Sequence, residues 1–506
     1  MKTTQRKTGQ TMMSSWWGLP VLLAGAMSVS AQQTVGQETA MPAKTPAVEP
    51  WKQIPIPKLH DFKPVEPKKI KLDNGLVIFL QEDHELPFVD GTILIRGGSR
   101  NEPADKAGLT SLYGEAWRTS GTSTQTGERL DDILALKAAS IETGGGVATS
   151  SMTWSSFSKD FDDVFGLTLD LLERPAFKAD KLALGKRELF TSISRRNDDA
   201  AGIAGREAAL VAYGKNNPYD REVEYATVDA VKLGDLQSWH DRTVVPNNMI
   251  VAVEGDFDSA TMEAKLRKAF GGMKPGVEVK APEVAFHDPE HGVFFANKGD
   301  VDQSNVYIVG LGTERSNPDY YALSVMNEVF SGGFGSRVIQ SVRTRLGLAY
   351  SVGGSYGAGY DHPGLFVAEA ATKSASTVAA TKAVLDEIAR LKTVPPTVDE
   401  LRSAKDQVLN SFIFNYDSPE KTLNEQVVLA LYGYPPDFLD KYKNGIEKVT
   451  SADVARVANK YIDANKLAIV IVGNESEMGT PLKELGPVTN LDITIPPPPK
   501  GVAASE

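Results

Sequence analysis

One short segment, Ala107 to Thr122, carries on a single face the residues that could do chemistry, and that face is sparsely equipped. Leu109, Leu112, Tyr113, Ala116 and Trp117 recur at i, i+3, i+4, i+7 and i+8, the stripe of a helix packed on a core. The opposite face holds Ser111, Gly114, Glu115 and Arg118. A helix-borne hydrolytic metal centre needs two imidazoles one turn apart, a third protein ligand, and a base for the attacking water. Here Glu115 offers one oxygen, the Ser111 hydroxyl stays protonated at neutral pH, and Gly114 adds no side chain. Glu115 then reads as a solvated helix charge facing Arg118 at i+3.

No histidine elsewhere completes the set. The six are His60, His84, His240, His287, His291 and His362, all outside this helix. His287 and His291 are spaced i, i+4, but Pro289 lies between them and a strand-like run follows, so they read as loop histidines.

The elements that must position these residues come in two copies. Val231 to Gly255 runs parallel to Val449 to Gly473 without a gap, at a constant offset of 218 (231 to 449, 255 to 473). Asp235 matches Asp453 and Asn247 matches Asn465; each copy reads helix, turn at the Asn, then a buried strand ending in Gly. Near the start of each copy, Asn74-Gly75 before Leu-Val-Ile-Phe resembles His291-Gly292 before Val-Phe-Phe. The pattern predicts an α+β fold of two tandem homologous α/β-roll units of about 200 residues each, joined near Gly276–Pro289. Each unit opens on a hairpin-like pair of strands, continues through helices, and returns a late strand to its sheet. Gly144-Gly145-Gly146 is expected to be a turn before the Ser/Thr-rich strand 147–156.

The 506 residues exceed what one core can organise. A net charge of −11 argues against nucleic acid or anionic membrane as a standing partner. Lys2, Arg6 and Lys7 precede an apolar run from Trp16 to Val29, and Val29-Ser30-Ala31 offers a small-residue cleavage site before Gln32. These features predict a cleaved bacterial signal peptide over 1–31, hence a periplasmic or secreted protein, with a membrane anchor as the alternative. The run is short for a stable membrane span. The chain has no cysteine, so lipoprotein anchoring, disulfides and thiol chemistry are excluded. The remaining boundaries are expected at 32–66 for a proline-rich arm, 67–276 and 285–490 for the two rolls, and 491–506 for a proline-rich tail.

The segment from Gly108 to Thr122 resembles the signature helix of the pitrilysin/insulinase family of zinc metallopeptidases, the inverzincins. There a Gly-x-x-His-x-x-Glu-His run leads into Gly-Thr; here Gly108 and Gly121-Thr122 hold the flanking positions. The resemblance extends to Leu72-Asp-Asn-Gly-Leu-Val-Ile, Leu172-Glu-Arg-Pro-Ala-Phe177 and Pro246 to Asp256, and covers roughly residues 66 to 490. It places the two imidazole ligands at Ser111 and Glu115, the general base at Gly114, and the third ligand at Ser192, with Glu188 one turn away as the alternative. The resemblance therefore implies a degenerate site with no catalytic residues of its own and no bound metal.

In the second unit, Ser331-Gly-Gly-Phe-Gly-Ser-Arg337 leads into a short helix and then Arg343-Thr-Arg-Leu-Gly-Leu-Ala-Tyr350, with Gly347 suited to the helix end. The family resemblance implies that Arg343 grips substrate carbonyls and that Tyr350 donates a hydrogen bond to the developing oxyanion. A helix cap with a packed tyrosine is the reading without a ligand. Some family members split into a zinc-bearing and a zinc-free chain that close as a clamshell around a peptide. The resemblance implies that this chain is the zinc-free half, with a homologous zinc-bearing subunit and a peptide as its partners. The rival expectations are a stand-alone peptide-binding or assembly protein and an active hydrolase using a rearranged site around Glu115 and Glu188.

Overall fold

The computed structural model describes residues 65–499, which belong to one compact unit; the predicted leader and most of the proline-rich arm lie outside them. The first half runs β1 (Lys68–Lys71), β2 (Val77–Glu82), β3 (Phe88–Arg96), α1 (Leu109–Thr119), α2 (Gly127–Leu136), β4 (Ser140–Gly145), β5 (Thr149–Phe157), α3 (Phe161–Glu173), α4 (Ala179–Ser194), α5 (Ala200–Tyr213), α6 (Tyr225–Ala230), α7 (Leu233–Thr243), β6 (Met249–Gly255) and α8 (Ser259–Phe270). The second runs β7 (Gly292–Asn297), β8 (Gln303–Leu311), β9 (Thr313–Glu314), α9 (Tyr320–Ser331), a π-helical turn (Ile339–Arg345), β10 (Ser351–Tyr356), β11 (Ala358–Gly359), β12 (Leu365–Lys373), α10 (Thr377–Thr393), α11 (Val398–Ile413), α12 (Pro419–Leu431), α13 (Phe438–Lys448), α14 (Ser451–Tyr461), β13 (Ala468–Gly473) and β14 (Val488–Asn490).

Each half builds a six-stranded mixed sheet, ordered β1-β2-β6-β3-β5-β4 in the first and β14-β7-β13-β8-β12-β10 in the second. The late strands β6 and β13 insert beside the early ones, parallel to β2 and β7 and antiparallel to β3 and β8. Both are buried on two faces, which is why each reads as a continuous apolar run rather than an alternating one. The α+β expectation and the paired architecture describe this fold. The hairpin holds only for the first half, where β1 pairs antiparallel with β2. In the second, β7 takes its outer neighbour from the far end of the chain, β14, running parallel.

Helices cover one face of each sheet, and each half lends one helix to the other. Leu423, Val427 and Leu431 of α12 pack on Phe79, Ile250 and Ala252 of the first sheet. Ala200, Ile203, Ala204, Ala208 and Ala212 of α5 lie along Ala296, Val309, Ala468, Val470 and Val472 of the second. The small residues of α5 allow close approach to the sheet, and the exchange locks the halves by apolar burial. A polar latch adds to it: Arg100 Nη1 stands 2.8 Å from Asp361 Oδ2, and His362 stacks on Tyr219 at 4.0 Å.

The sequence repeat has a local cause as well. Asp235 caps α7 by accepting the Lys232 N–H at 2.7 Å, and Asp453 caps α14 by accepting the Thr450 N–H at 3.0 Å. Among the described residues, no helix is long and apolar enough to cross a membrane.

Candidate functional site

Helix α1 forms where its periodicity predicts, and Leu109, Leu112, Tyr113, Ala116 and Trp117 are all buried. Trp117 is anchored by its indole N–H, which donates to the Leu171 carbonyl at 2.8 Å. Tyr113 stacks on Trp117 and meets Nδ1 of buried His240 at 2.9 Å; His240 Nε2 contacts the Leu172 carbonyl at 2.9 Å. Burial pushes the His240 imidazole down to about 4, so it sits neutral at physiological pH. One ring nitrogen faces a hydroxyl and the other a carbonyl, which makes this a core histidine.

The polar face of α1 differs from its expectation in three ways. Glu115 does not face Arg118. Arg118 turns inward to donate Nε to the Ile141 carbonyl at 2.7 Å and to pair with Asp131 at 2.6 Å. Glu115 instead meets Glu188 of α4, and burial together with that neighbouring carboxyl pushes Glu115 up to about 7. Ser111 and Ser192 are both exposed, and Ser192 lines a separate cleft with Leu189, Arg196 and Arg206. The structure thus brings Glu188 to Glu115 and leaves Ser192 a helical turn away.

Gly114, at the base position, is filled rather than vacant. A Cβ there would stand 2.7 Å from the carbonyl carbon of Gly144 and from the amide nitrogen of Gly145. Those two glycines are strand residues of β4, not the expected turn, because the α1 backbone rests directly on them. The Thr143 hydroxyl donates to the Gly114 carbonyl and closes the contact. A glycine inside a helix and two in a facing strand together signal such close approach, and this is the signal the periodicity argument passed over.

The donor set does not fit zinc. Two carboxyls that compete for a proton and an exposed serine replace two imidazoles and a carboxylate, and the seat of the base is occupied by backbone. Among the described residues, no group of three or more His, Cys, Asp or Glu is placed to hold a metal ion.

In the second half, buried Arg337 grips Glu400 of α11 through Nε at 2.8 Å and Nη2 at 3.0 Å, and donates Nη1 to the Val394 carbonyl at 2.8 Å. The guanidinium holds the Glu400 carboxyl down at about 2, and the pair pins the loop that follows α9. The expected short helix is π-helical over Ile339–Arg345, with the Leu346 N–H reaching the Ser341 carbonyl at 3.0 Å. It ends at Gly347, whose φ of 61° suits the position after a helix end.

This wide turn and the start of β10 bring Arg343 and Tyr350 together. The Arg343 guanidinium lies 5.6 Å from the Tyr350 ring and 5.3 Å from the ring of Phe334, a residue the sequence reading passed over. All three are open to solvent, Tyr350 at 81% and Phe334 at 72%. Arg343 has no ion-pair partner among the described residues, whereas Arg345 folds back on Ser341. The guanidinium thus lies within cation–π reach of two exposed rings and has no ion pair among the described residues.

Residues 230–408 match the family described as the peptidase M16 inactive domain. An uncharacterized zinc protease of Rickettsia felis is 22% identical over 415 residues, covering 80% of this chain and 97% of that protein. A non-peptidase homolog from Helicobacter pylori is 22% identical over 406 residues, covering 79% and 92%. The crystal structure of a peptidase M16 inactive domain from Pseudomonas fluorescens superposes with a TM-score of 0.74 at 21% identity, covering 82% of this chain and all of that one. The chain is thus similar to M16, pitrilysin-like, peptidases: it shares their fold, and the stretch from the end of α6 into α11 resembles their inactive domain.

Proposed function

We propose that this chain is the non-catalytic subunit of a periplasmic heterodimeric zinc peptidase. A homologous partner supplies the metal centre, and this chain supplies chamber wall, substrate grip and hydrogen bonds to charge that develops on the peptide. The observation that carries the reading is the exposed Phe334–Arg343–Tyr350 cluster, on a loop tied down by the Arg337–Glu400 ion pair, in a chain whose own ligand face is closed. In this reading the Arg343 fork takes peptide carbonyl oxygens and the Tyr350 hydroxyl donates to the oxyanion. The relatives' printed descriptions, zinc proteases and a non-peptidase homolog, suit a family that keeps both active and inactive chains.

The test is affinity purification of the tagged mature chain from its native envelope, with peptidase assays of the eluate. A stoichiometric companion bearing His-x-x-Glu-His, with activity lost to chelator and reduced about 100-fold by Tyr350→Phe, is the expected result. A lone chain without activity would move the assignment to a stand-alone peptide-binding protein.

A further inference from the structure

A cavity of about 280 Å³ lies between α9, α11, α13 and the last residues of β10. Its polar lining includes Arg315, Tyr320, Ser324, Glu328, Asn415 and Tyr442. Arg315 sets its character. Its guanidinium is stacked on the Tyr360 ring, 3.9 Å from the centroid, and its Nε is buried without a hydrogen-bond partner. Among the described residues, the side chain has neither an ion pair nor a hydrogen bond. The buried arginines of the described residues each have an ion pair, Arg100 with Asp361, Arg118 with Asp131 and Arg337 with Glu400, whereas half-buried Arg315 has none. The buried Nε–H in particular loses hydration without recompense.

The surroundings favour an incoming anion. The Tyr320 and Tyr442 hydroxyls converge on Ser324, and burial keeps both phenols protonated and able to donate. Glu425 feels the Arg315 charge but lies beyond ion-pair distance, and burial pushes its carboxyl up. The carboxyl that does line the cavity, Glu328, is pushed up by burial too, toward the neutral form. A single fork among hydroxyls and aromatic walls matches one planar monoanion; a phosphate dianion calls for more positive charge.

We propose that this cavity receives the C-terminal carboxylate of a peptide, with Arg315 as its anchor. The source of the ligand rests on the peptide-handling reading above; the chemistry of the cavity does not. Ser355, at its edge, is five residues along edge strand β10 from Tyr350, roughly 17 Å by strand rise.

The experiment compares one fluorescent hexapeptide with a free C-terminus and the same peptide amidated, binding to the full mature chain. The free form binds about tenfold tighter. Arg315→Gln removes that preference and leaves the amide's affinity unchanged. Asn415→Trp, at an exposed position on the lining, removes it as well and guards against a folding defect in the first variant. Arg343→Ala and Tyr350→Phe weaken both peptides alike, so failure of the grip is read separately from failure of the cavity. Equal affinity of the two peptides for the wild type, or full preference in Arg315→Gln, would overturn the proposal. Inorganic phosphate that stabilises the wild type through Arg315 while the peptides bind alike would overturn the peptide source.

Discussion

In the first half, α1 follows β3 and precedes β4, and lies flat on Gly144 and Gly145, leaving two facing carboxyls on its polar side. In the second half, α9 follows β8 and leads through a clamped loop to β10, and that loop puts Phe334, Arg343 and Tyr350 outside. From β2 and β7 onward the two sheets have matching strand orders, and their late helices are capped by carboxylates at matching positions. The parts that define the fold are therefore those the halves share, and the parts that could act are those they do not. A duplicated architecture lets one copy close over its site while the other keeps an exposed one, because the core that stabilises each lies on the far side of its chemistry.

The largest effect should come from reopening the closed face. Gly114→Glu places a side chain where the β4 backbone stands, and overpacking of this kind costs about 3 kcal/mol. Denaturant titration should show that loss, and adding Ser111→His and Glu115→His should not yield stoichiometric zinc by atomic absorption. A triple variant that folds normally and holds the metal would show the two halves to be less different than the packing indicates.

Acid should separate the halves next. His240 has no counterpart in the second copy, where the equivalent position is Ala458. Its folded-state pKa is depressed, so the unfolded chain binds the proton more readily, and stability contributed at neutral pH is lost as pH falls from about 6.5 to about 4. The full effect is about 3 kcal/mol. In thermal unfolding from pH 7 to 4, His240→Gln should flatten the first-half contribution to the decline; an unchanged slope would refute it.

Much of this plan was legible in the chain itself. The helix stripe at Leu109–Trp117, the paired helices that carry Asp235 and Asp453 and the buried strands at both ends of the 218-residue offset are local patterns, set by periodicity. The encounter of Glu115 with Glu188, the seating of Gly114 on β4 and the gathering of Phe334 with Arg343 depend on contacts between distant segments, which periodicity does not encode. The exchange of α5 and α12 was hidden for the same reason. Each helix reads as apolar, and only the assembled molecule shows whose sheet it covers.

Glu115 should respond to pH in the sense opposite to His240. Its folded-state pKa is raised to about 7 by burial and by Glu188, so the folded chain holds a proton that the unfolded chain releases near 4.5. Stability is then full below about 4.5 and is lost as pH rises toward 7. The site is partly open to solvent, so screening reduces the loss to about 1 kcal/mol. Glu115→Gln should recover that amount at pH 8 and nothing at pH 4, as read from denaturation midpoints.

The smallest effect on stability belongs to the exposed cluster, and it is the sharpest test of the contrast. Arg343→Ala and Tyr350→Phe remove a guanidinium without an ion pair and a hydroxyl on a side chain open to water, so each should move unfolding by less than about 0.5 kcal/mol. If either instead destabilised the chain as strongly as Gly114→Glu, the cluster would be a structural cap, and the second half would be as closed as the first. If both leave the fold untouched while peptide handling falls, what the loop holds outside is there for a ligand. The Arg337–Glu400 clamp beneath it then counts as positioning: Arg337→Lys should weaken peptide binding through a looser loop, and should do so with the Arg343 and Tyr350 side chains intact.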